Sequence, residues 1–516
     1  MVLRQPRHPL PRFLAAVVAL LAAVWCAPAT AQTDLGVERR LIEELIRDGK
    51  YKQVVAETRQ LEQIVRPNGR PPKGGQQTAI MIDLLLLRMF AEREMGMLSD
   101  AEKSLADAQR YFKSKDFQRA LAASVPRSSD AEQVGKAVLP FSLLYFSLID
   151  EEAMLLLERV RSDNHGLAIA KPSRMSTAAG TADTDAPEMD AAAWAKRFEL
   201  LDKITKIAQH ARNTSLARLP DGEESPEARS PYIRAMLGGF RPRLLTGKRF
   251  LEAGKLPFTL PSDTIAPAAE GEPVAATEDG DATSAAPVIA ETPAARAEAA
   301  DRQFRRAIEY LEQAVADADA ACDAALAAFE RGEDEPETAD YLAARKEAAR
   351  IRCTAKEALA EAVLRHGDPE RARQILGTAI ADLRAAEKPR HPALAEPLIV
   401  DAEISLAEMR QSIAAKNVTA AERQSRAAVE ALREAKELLT VEESGFDKKA
   451  PIHELLAATL AQAESQSKLA AQLVASKDAA DAAARRALRA INAGDAKKAV
   501  PPPRKPAPTA EPQPTE

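Results

Sequence analysis

The sequence predicts an all-α protein built from stacked helix hairpins or from long-helix bundles, arranged in two halves with linkers between them. Three observations predict this class. Long stretches are dominated by Ala, Glu, Lys, Arg and Leu, whereas aromatic residues make up only 4% of the chain, and this mixture favours helix. Apolar residues recur at intervals of three and four in both halves. A chain of 516 residues exceeds the usual size of one hydrophobic core, so two or more packed units are expected.

Residues 1–31 have the pattern of a secretory signal peptide. Three arginines, Arg4, Arg7 and Arg12, precede an apolar run over residues 13–27, and Ala29-Thr30-Ala31 has the small-x-small spacing of a cleavage site. The apolar run is shorter than the roughly twenty residues that span a bilayer as a helix. We therefore predict cleavage before Gln32, a periplasmic or secreted location, and no stable membrane span after cleavage.

Residues 32–168 are predicted to form the N-terminal helical domain. Turn signals interrupt its helical pattern at Asp48-Gly49, at 66–75, at Gly96 and at 126–130. Its most apolar stretch, residues 138–149, is too short to cross a membrane. We interpret this stretch as a buried central helix, and the alternative is the aromatic-lined wall of a peptide groove.

Three segments have compositions that do not favour packing. Residues 169–190 lose helical periodicity and are predicted to be a linker. Residues 261–295 are rich in Ala, Pro and acidic residues with almost no large apolar side chain, so they cannot offset the entropy of ordering and are predicted to be disordered. The Pro-rich tail, residues 497–516, is predicted to be disordered for the same reason. Residues 191–260 lie between the two linkers and are predicted to be a small, mainly helical connector region.

The connector contains the one local excess of basic residues, interleaved with glycines between Pro231 and Pro261. A glycine-rich basic loop can bind phosphate through its backbone amides. Here Gly247-Lys248 is followed by Arg249 where a phosphate-binding loop requires Ser or Thr. A structural connector is therefore favoured, with contact to an acidic partner or an anionic surface as the alternative.

The strongest helical periodicity lies in the predicted C-terminal helical domain, residues 296–496. Apolar residues alternate spacings of four and three as Phe304, Ile308, Leu311, Val315, Ala318, Cys322, Ala325 and Phe329. This coiled-coil-like seam predicts contact with another helix. A second, Ala-rich helix follows Pro336, so the pair is predicted to form an αα-hairpin with a charged turn at 332–336. This 300–365 hairpin is also the predicted surface for any self-association.

Two cysteines, Cys322 and Cys353, remain after the signal peptide. The predicted compartment permits a disulfide. Cys322 falls on the apolar stripe of its helix, whereas Cys353 lies roughly 200° around its own helix from Ile351, at about 100° per residue. A disulfide is therefore open but not favoured.

A glycine followed by small and large apolar residues at fixed offsets occurs in both halves. Gly367-Asp368 precedes Ala372, Leu376 and Ala379, and Gly96 precedes Ala101, Leu105 and Ala108, with shorter echoes at Gly49-Lys50-Tyr51 with Val54, at Ala421 with Ala428, and at Gly494-Asp495 with Ala499. This pattern resembles a divergent tetratricopeptide repeat. Lys356 and Ala360 replace the Trp and Gly that the family often has, and no strict 34-residue period links the copies. An unrelated helical bundle is the alternative.

The sequence shows no arrangement typical of a catalytic or metal site. The six histidines are isolated: His8, His165, His210, His366, His391 and His453. His453-Glu454 has Ala457 where a zinc-binding helix requires a second histidine, and no Gly-x-Ser-x-Gly motif occurs. We predict no catalytic, cofactor-binding or metal-binding residues and no cofactor. Because basic residues are dispersed and the net charge is −6, we also predict no nucleic-acid binding.

The resemblance and the export signal together predict a function in binding. A tetratricopeptide-like stack implies a right-handed array of helix hairpins whose concave face holds a segment of a partner protein. The predicted function is an exported scaffold for protein–protein interaction with an unidentified protein partner. The alternative is a structural protein that self-associates through the 300–365 hairpin. An enzyme is the third and less favoured hypothesis.

Overall fold

The computed structural model describes residues 32–66, 72, 74–124, 131–170, 191–216, 240–256, 293–327, 339–387, 391–440, 446–447 and 450–492. Of these residues 92% are helical and none lies in a strand, so the predicted all-α class is confirmed. None of the described helices combines the length and the hydropathy that a membrane crossing requires.

Six helices form the first part of the described chain. They are α1 (Gln32–Arg47), α2 (Tyr51–Val65), α3 (Gly75–Glu94), α4 (Leu98–Phe112), α5 (Lys115–Ser124) and α6 (Ala131–Ala170). One core cluster joins them, with Ile42, Val54, Met81, Ile82 and Phe117 fully or almost fully buried. Consecutive helices from α1 to α4 contact each other, and α6 lies against α3, α4 and α5.

Eight further helices follow. They are α7 (Ala191–Leu216), α8 (Phe240–Gly254), α9 (Pro293–Ala327), α10 (Ala339–His366), α11 (Pro369–Ala386), α12 (Ala395–Ala414), α13 (Val418–Thr440) and α14 (Pro451–Asn492). The largest core cluster runs from Phe240 on α8 to Ala463 on α14. Helix α8, inside the predicted connector region, therefore packs into the same core as the predicted C-terminal domain.

Several predicted features lie outside the described residues. They are the signal peptide at 1–31, most of the linkers 169–190 and 261–295, the turns at 126–130 and 332–336, and the tail at 497–516. Helix α6 continues to Ala170, and α9 begins at Pro293. Both helices thus reach two or three residues into ranges that the sequence predicts as linkers.

Four pairs of consecutive helices, α1–α2, α3–α4, α10–α11 and α12–α13, are joined by turns with one hydrogen-bonding pattern. Each turn contains one residue with positive φ: Gly49 at 70°, Gly96 at 74°, Gly367 at 104° and Lys416 at 58°. In each turn the next amide donates to the carbonyl five residues earlier, as Lys50 to Leu45, Met97 to Glu92, Asp368 to Val363 and Asn417 to Ser412. This arrangement is a Schellman cap.

The second helix of each pair buries the same three positions. They lie five, nine and twelve residues after the left-handed residue: Val54, Thr58 and Leu61; Ala101, Leu105 and Ala108; Ala372, Leu376 and Ala379; Ala421, Ser425 and Ala428. Each of these side chains is 7% exposed or less. The two clear sequence copies and two of the weaker echoes therefore share one turn geometry and one burial pattern.

Replacing Lys416 with glycine is expected to stabilise the protein. A side chain with a left-handed backbone costs roughly 1–2 kcal/mol, which glycine avoids, although glycine loses more entropy on folding. We expect Lys416→Gly to raise the free energy of unfolding by about 0.5–1 kcal/mol in urea titrations. The matched control is Lys113→Gly, since exposed Lys113 ends α4 with a right-handed φ of −79°, and it should destabilise. If both variants gained stability, the gain would not come from relief of the left-handed backbone at Lys416, and the prediction would be wrong.

The predicted apolar seam of α9 is largely buried over its described part, residues 304–322, whereas Ala325 and Phe329 lie outside the described side chains. Phe304, Ile308, Leu311 and Ala318 belong to the large core cluster, Cys322 is also buried, and α9 packs between α8 and α10. The approach of α8 is close because it presents glycines: a Cβ at Gly247 would lie 2.5 Å from Leu311 Cγ. Gly247 is thus a packing residue within a helix, which agrees with the connector interpretation of the basic segment.

Candidate functional site

A group of charged side chains lies in the interior where α6, α8, α10 and α12 meet, and we call it the central charge cluster. Arg161 of α6 lies 2.9 Å from the Glu396 carboxylate on α12 and 3.8 Å from Glu357 on α10. Glu158, one turn earlier on α6, is 4.0 Å away. Arg161 therefore connects a helix of the first part of the chain to two helices of the last part.

The remaining members of the cluster extend it to the end of α8. The Lys255 ammonium lies 2.7 Å from Glu252 and 2.7 Å from Glu361 of α10. Asn164 of α6 donates from Nδ2 to the Glu252 carboxylate at 2.7 Å. Arg365 of α10 pairs with Glu403 of α12 at 2.6 Å. All four helices are thus joined by ion pairs or charge-assisted hydrogen bonds.

The carboxyl groups of the cluster differ in protonation. Burial raises the pKa of Glu357 to about 8, and the negative charge of Glu396 adds to the rise, so Glu357 carries a proton at neutral pH. For Glu361, burial acts in the same direction, but the positive charges of Lys255 and Arg365 outweigh it and lower the pKa. The cluster therefore holds a neutral carboxyl next to ionised ones, which reduces repulsion around Arg161.

A second contact joins the α1–α2 turn to the C-terminal helices, and we call it the turn contact. Arg350 of α10 pairs with Glu387 at 2.5 Å and donates to the Arg47 carbonyl. His391 Nε2 lies 3.1 Å from the same carbonyl, and the Ala393 amide donates to His391 Nδ1 at 3.1 Å. Arg350 Nη2 also lies 2.9 Å from His391 Nε2, so the guanidinium, the Arg47 carbonyl and the imidazole ring meet at one point.

The adjacent N-terminal turn makes a similar contact. The Asp447 amide donates to the Met95 carbonyl at 2.9 Å. A Cβ placed on Gly96 would lie 2.9 Å from Ala450 Cβ, and one placed on Gly49 would lie 2.7 Å from the Pro392 ring. Glycine at both turns therefore serves two needs, a positive φ and close approach to the C-terminal helices.

The turn contact predicts a loss of stability in acid. Burial and the nearby positive charge of Arg350 lower the pKa of His391 to about 3, from 6.5. Below about pH 6.5 His391 therefore binds a proton in the unfolded chain but not in the folded chain. As the pH falls from about 6.5 to 3, the free energy of unfolding decreases by up to about 1.4 kcal/mol per pH unit.

His391→Asn tests this linkage, since Asn keeps an acceptor for the Ala393 amide and does not titrate. We expect the loss between pH 6.5 and 5 to be about 1–2 kcal/mol smaller in the variant than in the unmodified protein. Glu357 titrates in the opposite sense, because its raised pKa adds stability as pH falls from about 8 to 4.5. The difference between the two proteins in urea titrations is therefore the informative quantity, and equal losses would contradict a neutral buried His391.

The two cysteines are buried and not bonded to each other. Cys322 Sγ lies 3.6 Å from the Ala348 carbonyl and donates to it. Burial raises the pKa of the Cys322 thiol to about 12, and burial also raises the pKa of Cys353. Both thiols are therefore protonated and shielded at neutral pH, which is opposite to the environment of a reactive cysteine.

Three described histidines lie in different parts of the fold. His391 belongs to the turn contact, His366 Nδ1 lies 2.7 Å from Asp301, and His453 lies in the first turn of α14. Among the described residues, no group of three or more His, Cys, Asp or Glu side chains has the arrangement of a metal site. The absence of catalytic and metal-binding residues stays a prediction.

The sequence did not identify the residues of the two contacts. Arg161 and Glu396 are 235 positions apart, and Arg350 and Arg47 are 303 apart. One local signal was present: Arg161 follows Leu157 and Val160, both buried, and a charged residue next to a buried apolar stripe indicates a partner in the interior.

Comparison with other proteins leaves the family resemblance as a prediction. No family model matches the chain, and no match was found among curated proteins or among solved structures. The tetratricopeptide-like interpretation therefore rests on the residue spacings and on the four related turns.

Proposed function

We propose that this protein is an exported, tetratricopeptide-like scaffold that binds other proteins. The observation that carries the proposal is the recurrence of one turn in four helix pairs, each followed by buried residues at offsets five, nine and twelve. Repeated helix pairs bury one face on their neighbours and leave extended outer faces for binding. The signal-like pattern of residues 1–31 supports export.

The position of α6 limits where a partner binds. In a tetratricopeptide-like stack the first helix of each pair lines the concave face. Here α6 contacts α3 and reaches α10 and α12 through Arg161. These first helices are covered by the chain itself, so we place the partner on helix faces that stay exposed.

Burial of the α9 seam favours the scaffold over self-association. Self-association through the 300–365 hairpin requires an apolar surface that a second copy can reach. The seam residues Phe304, Ile308 and Leu311 are instead packed against α8 and α10. Little of the described part of the seam, residues 304–322, is left for a second copy.

Crosslinking in intact cells tests the proposal. The full chain with a C-terminal affinity tag is treated with a lysine-reactive crosslinker, purified from envelope and medium fractions, and mapped by mass spectrometry. We expect the purified chain to begin at Gln32 and to carry reproducible crosslinks from its described helices to one or more different proteins. Crosslinks only between copies of this chain along 300–365 would replace the scaffold with self-assembly. A mature N-terminus at Met1 would contradict export.

A further inference from the structure

Helix α7 exposes a stripe of lysine and apolar residues that we call the α7 lysine face: Lys196, Leu200, Lys203, Lys206 and Ile207. All five are exposed, with Leu200 at 47% and Ile207 at 40%. Spacings of four, three and four from 196 to 207 place these residues on one side of a helix. The opposite side, with Phe198, Leu201 and Ile204, is buried, so the orientation of α7 is fixed.

The α7 lysine face has three lysines and one acidic residue, so it keeps a net positive charge. The other charged residues of α7 include Arg197, which pairs with Asp163, and Asp202, which pairs with Arg249. No described carboxylate pairs with Lys196, Lys203 or Lys206. Glu199 is the one acidic residue on the same side. Three lysines and two large apolar side chains thus extend over about 17 Å of helix.

One segment of the chain has the complementary composition. Residues 261–292 contain seven acidic residues, Asp263, Glu270, Glu272, Glu278, Asp279, Asp281 and Glu291, and no Lys or Arg. They also contain a few larger apolar residues, among them Ile265, Val274 and Ile289. The other predicted linker, 169–190, contains both acidic and basic residues and carries less net charge.

The described chain that precedes the acidic segment ends next to α7. Leu256 is the last described residue before it, and Leu256 packs in one cluster with Trp194 and Phe198 of α7. Glu270 is the fourteenth residue after Leu256, and an extended chain of that length spans roughly 45–50 Å. The segment can therefore reach every lysine of the face without any change in the described helices.

We propose that the acidic segment 261–292 docks on the α7 lysine face of its own chain. Each exposed ion pair contributes little by itself, because water and salt screen it. Attachment to the same chain adds an effective concentration in the millimolar range, which favours a weak contact. The docked segment shields Leu200 and Ile207 and occupies the most basic exposed stripe of α7. This inference does not depend on the scaffold proposal, because the contact is within one chain.

Photo-crosslinking from position 200 tests the contact. Benzoylphenylalanine replaces Leu200 in the full chain, and crosslinked peptides are mapped at 50 mM and 500 mM salt. We expect the main crosslink within one chain to reach 261–292 and its yield to fall at least threefold at high salt, since the Debye length shrinks from above 10 Å to below 8 Å. Lys203→Glu with Lys206→Glu should reduce the yield at least fivefold at low salt.

The matched control is Lys52→Glu with Lys113→Glu, which changes the net charge equally at exposed sites outside α7 and should leave the yield unchanged. Mixing isotopically labelled and unlabelled chains separates links within a chain from links between copies. Links mainly to 169–190, to 217–239, to a second copy or to another protein would overturn the proposal. The proposal would also be overturned if the crosslink yield to 261–292 changed neither with salt nor with charge reversal of the lysines.

Discussion

Arg161→Ala is expected to lower the free energy of unfolding by about 3 kcal/mol, because it removes the cation that the acidic side chains of Glu158, Glu357 and Glu396 share. Arg161 lies within 4.0 Å of Glu158, Glu357 and Glu396 on three different helices. Removing one partner of a buried pair typically costs roughly 3–5 kcal/mol. We expect the lower end of this range, since Glu396 is partly exposed and retains water.

Arg159→Ala is the matched control for Arg161→Ala. It removes the same side chain two residues earlier on α6, where no ion pair forms with described residues, so a change within about 0.5 kcal/mol is expected. Urea unfolding at neutral pH, followed by circular dichroism, measures both variants. Equal losses in the two variants would mean that Arg161 does not hold α6 to α10 and α12.

Gly49→Ala is expected to destabilise the protein by about 2–5 kcal/mol, because two effects act at one position. The backbone of Gly49 has a φ of +70°, which costs a non-glycine residue roughly 1–2 kcal/mol. An added Cβ would also lie 2.7 Å from the Pro392 ring and 3.1 Å from His391 Nε2. The proline ring is rigid, so the turn contact must open for the methyl group to fit.

Gly367→Ala separates these two effects. Gly367 has the same left-handed conformation, with φ at +104°, but an added Cβ would meet no atom within 4 Å. We expect this variant to lose only the backbone contribution, about 1–2 kcal/mol. Differential scanning calorimetry should therefore show a larger fall in Tm for Gly49→Ala than for Gly367→Ala. Similar falls would contradict close packing of the α1–α2 turn on Pro392.

Local patterns predicted much of the helical layout. The turns at Gly49, Gly96 and Gly367 follow from glycine at the end of a periodic segment, since glycine accepts a left-handed backbone without strain. The turn at Lys416 has the same geometry but lacks this signal, because lysine gives no indication of positive φ. The sequence nevertheless indicated the following helix through Ala421 and Ala428.

A single apolar stripe does not predict which residues are buried in a helix that other helices surround on several sides. Cys353 lies off the predicted stripe of α10 but is only 2% exposed. Helix α10 contacts α8, α9, α11 and α12, so residues on most of its circumference are buried. The two interior contacts depend on residues hundreds of positions apart, and helical periodicity carries no information about such pairs.

Native-state hydrogen exchange of the full chain tests most directly whether Arg161 joins the N-terminal and C-terminal helices into one cooperative structure. Amides in the second half of α6, near Arg161, should exchange with the same free energy of opening as those in α10 and α12. Arg161→Ala should lower protection in all three helices together, by about 3 kcal/mol. Independent exchange of α6, with α10 and α12 unchanged in the variant, would contradict this coupling.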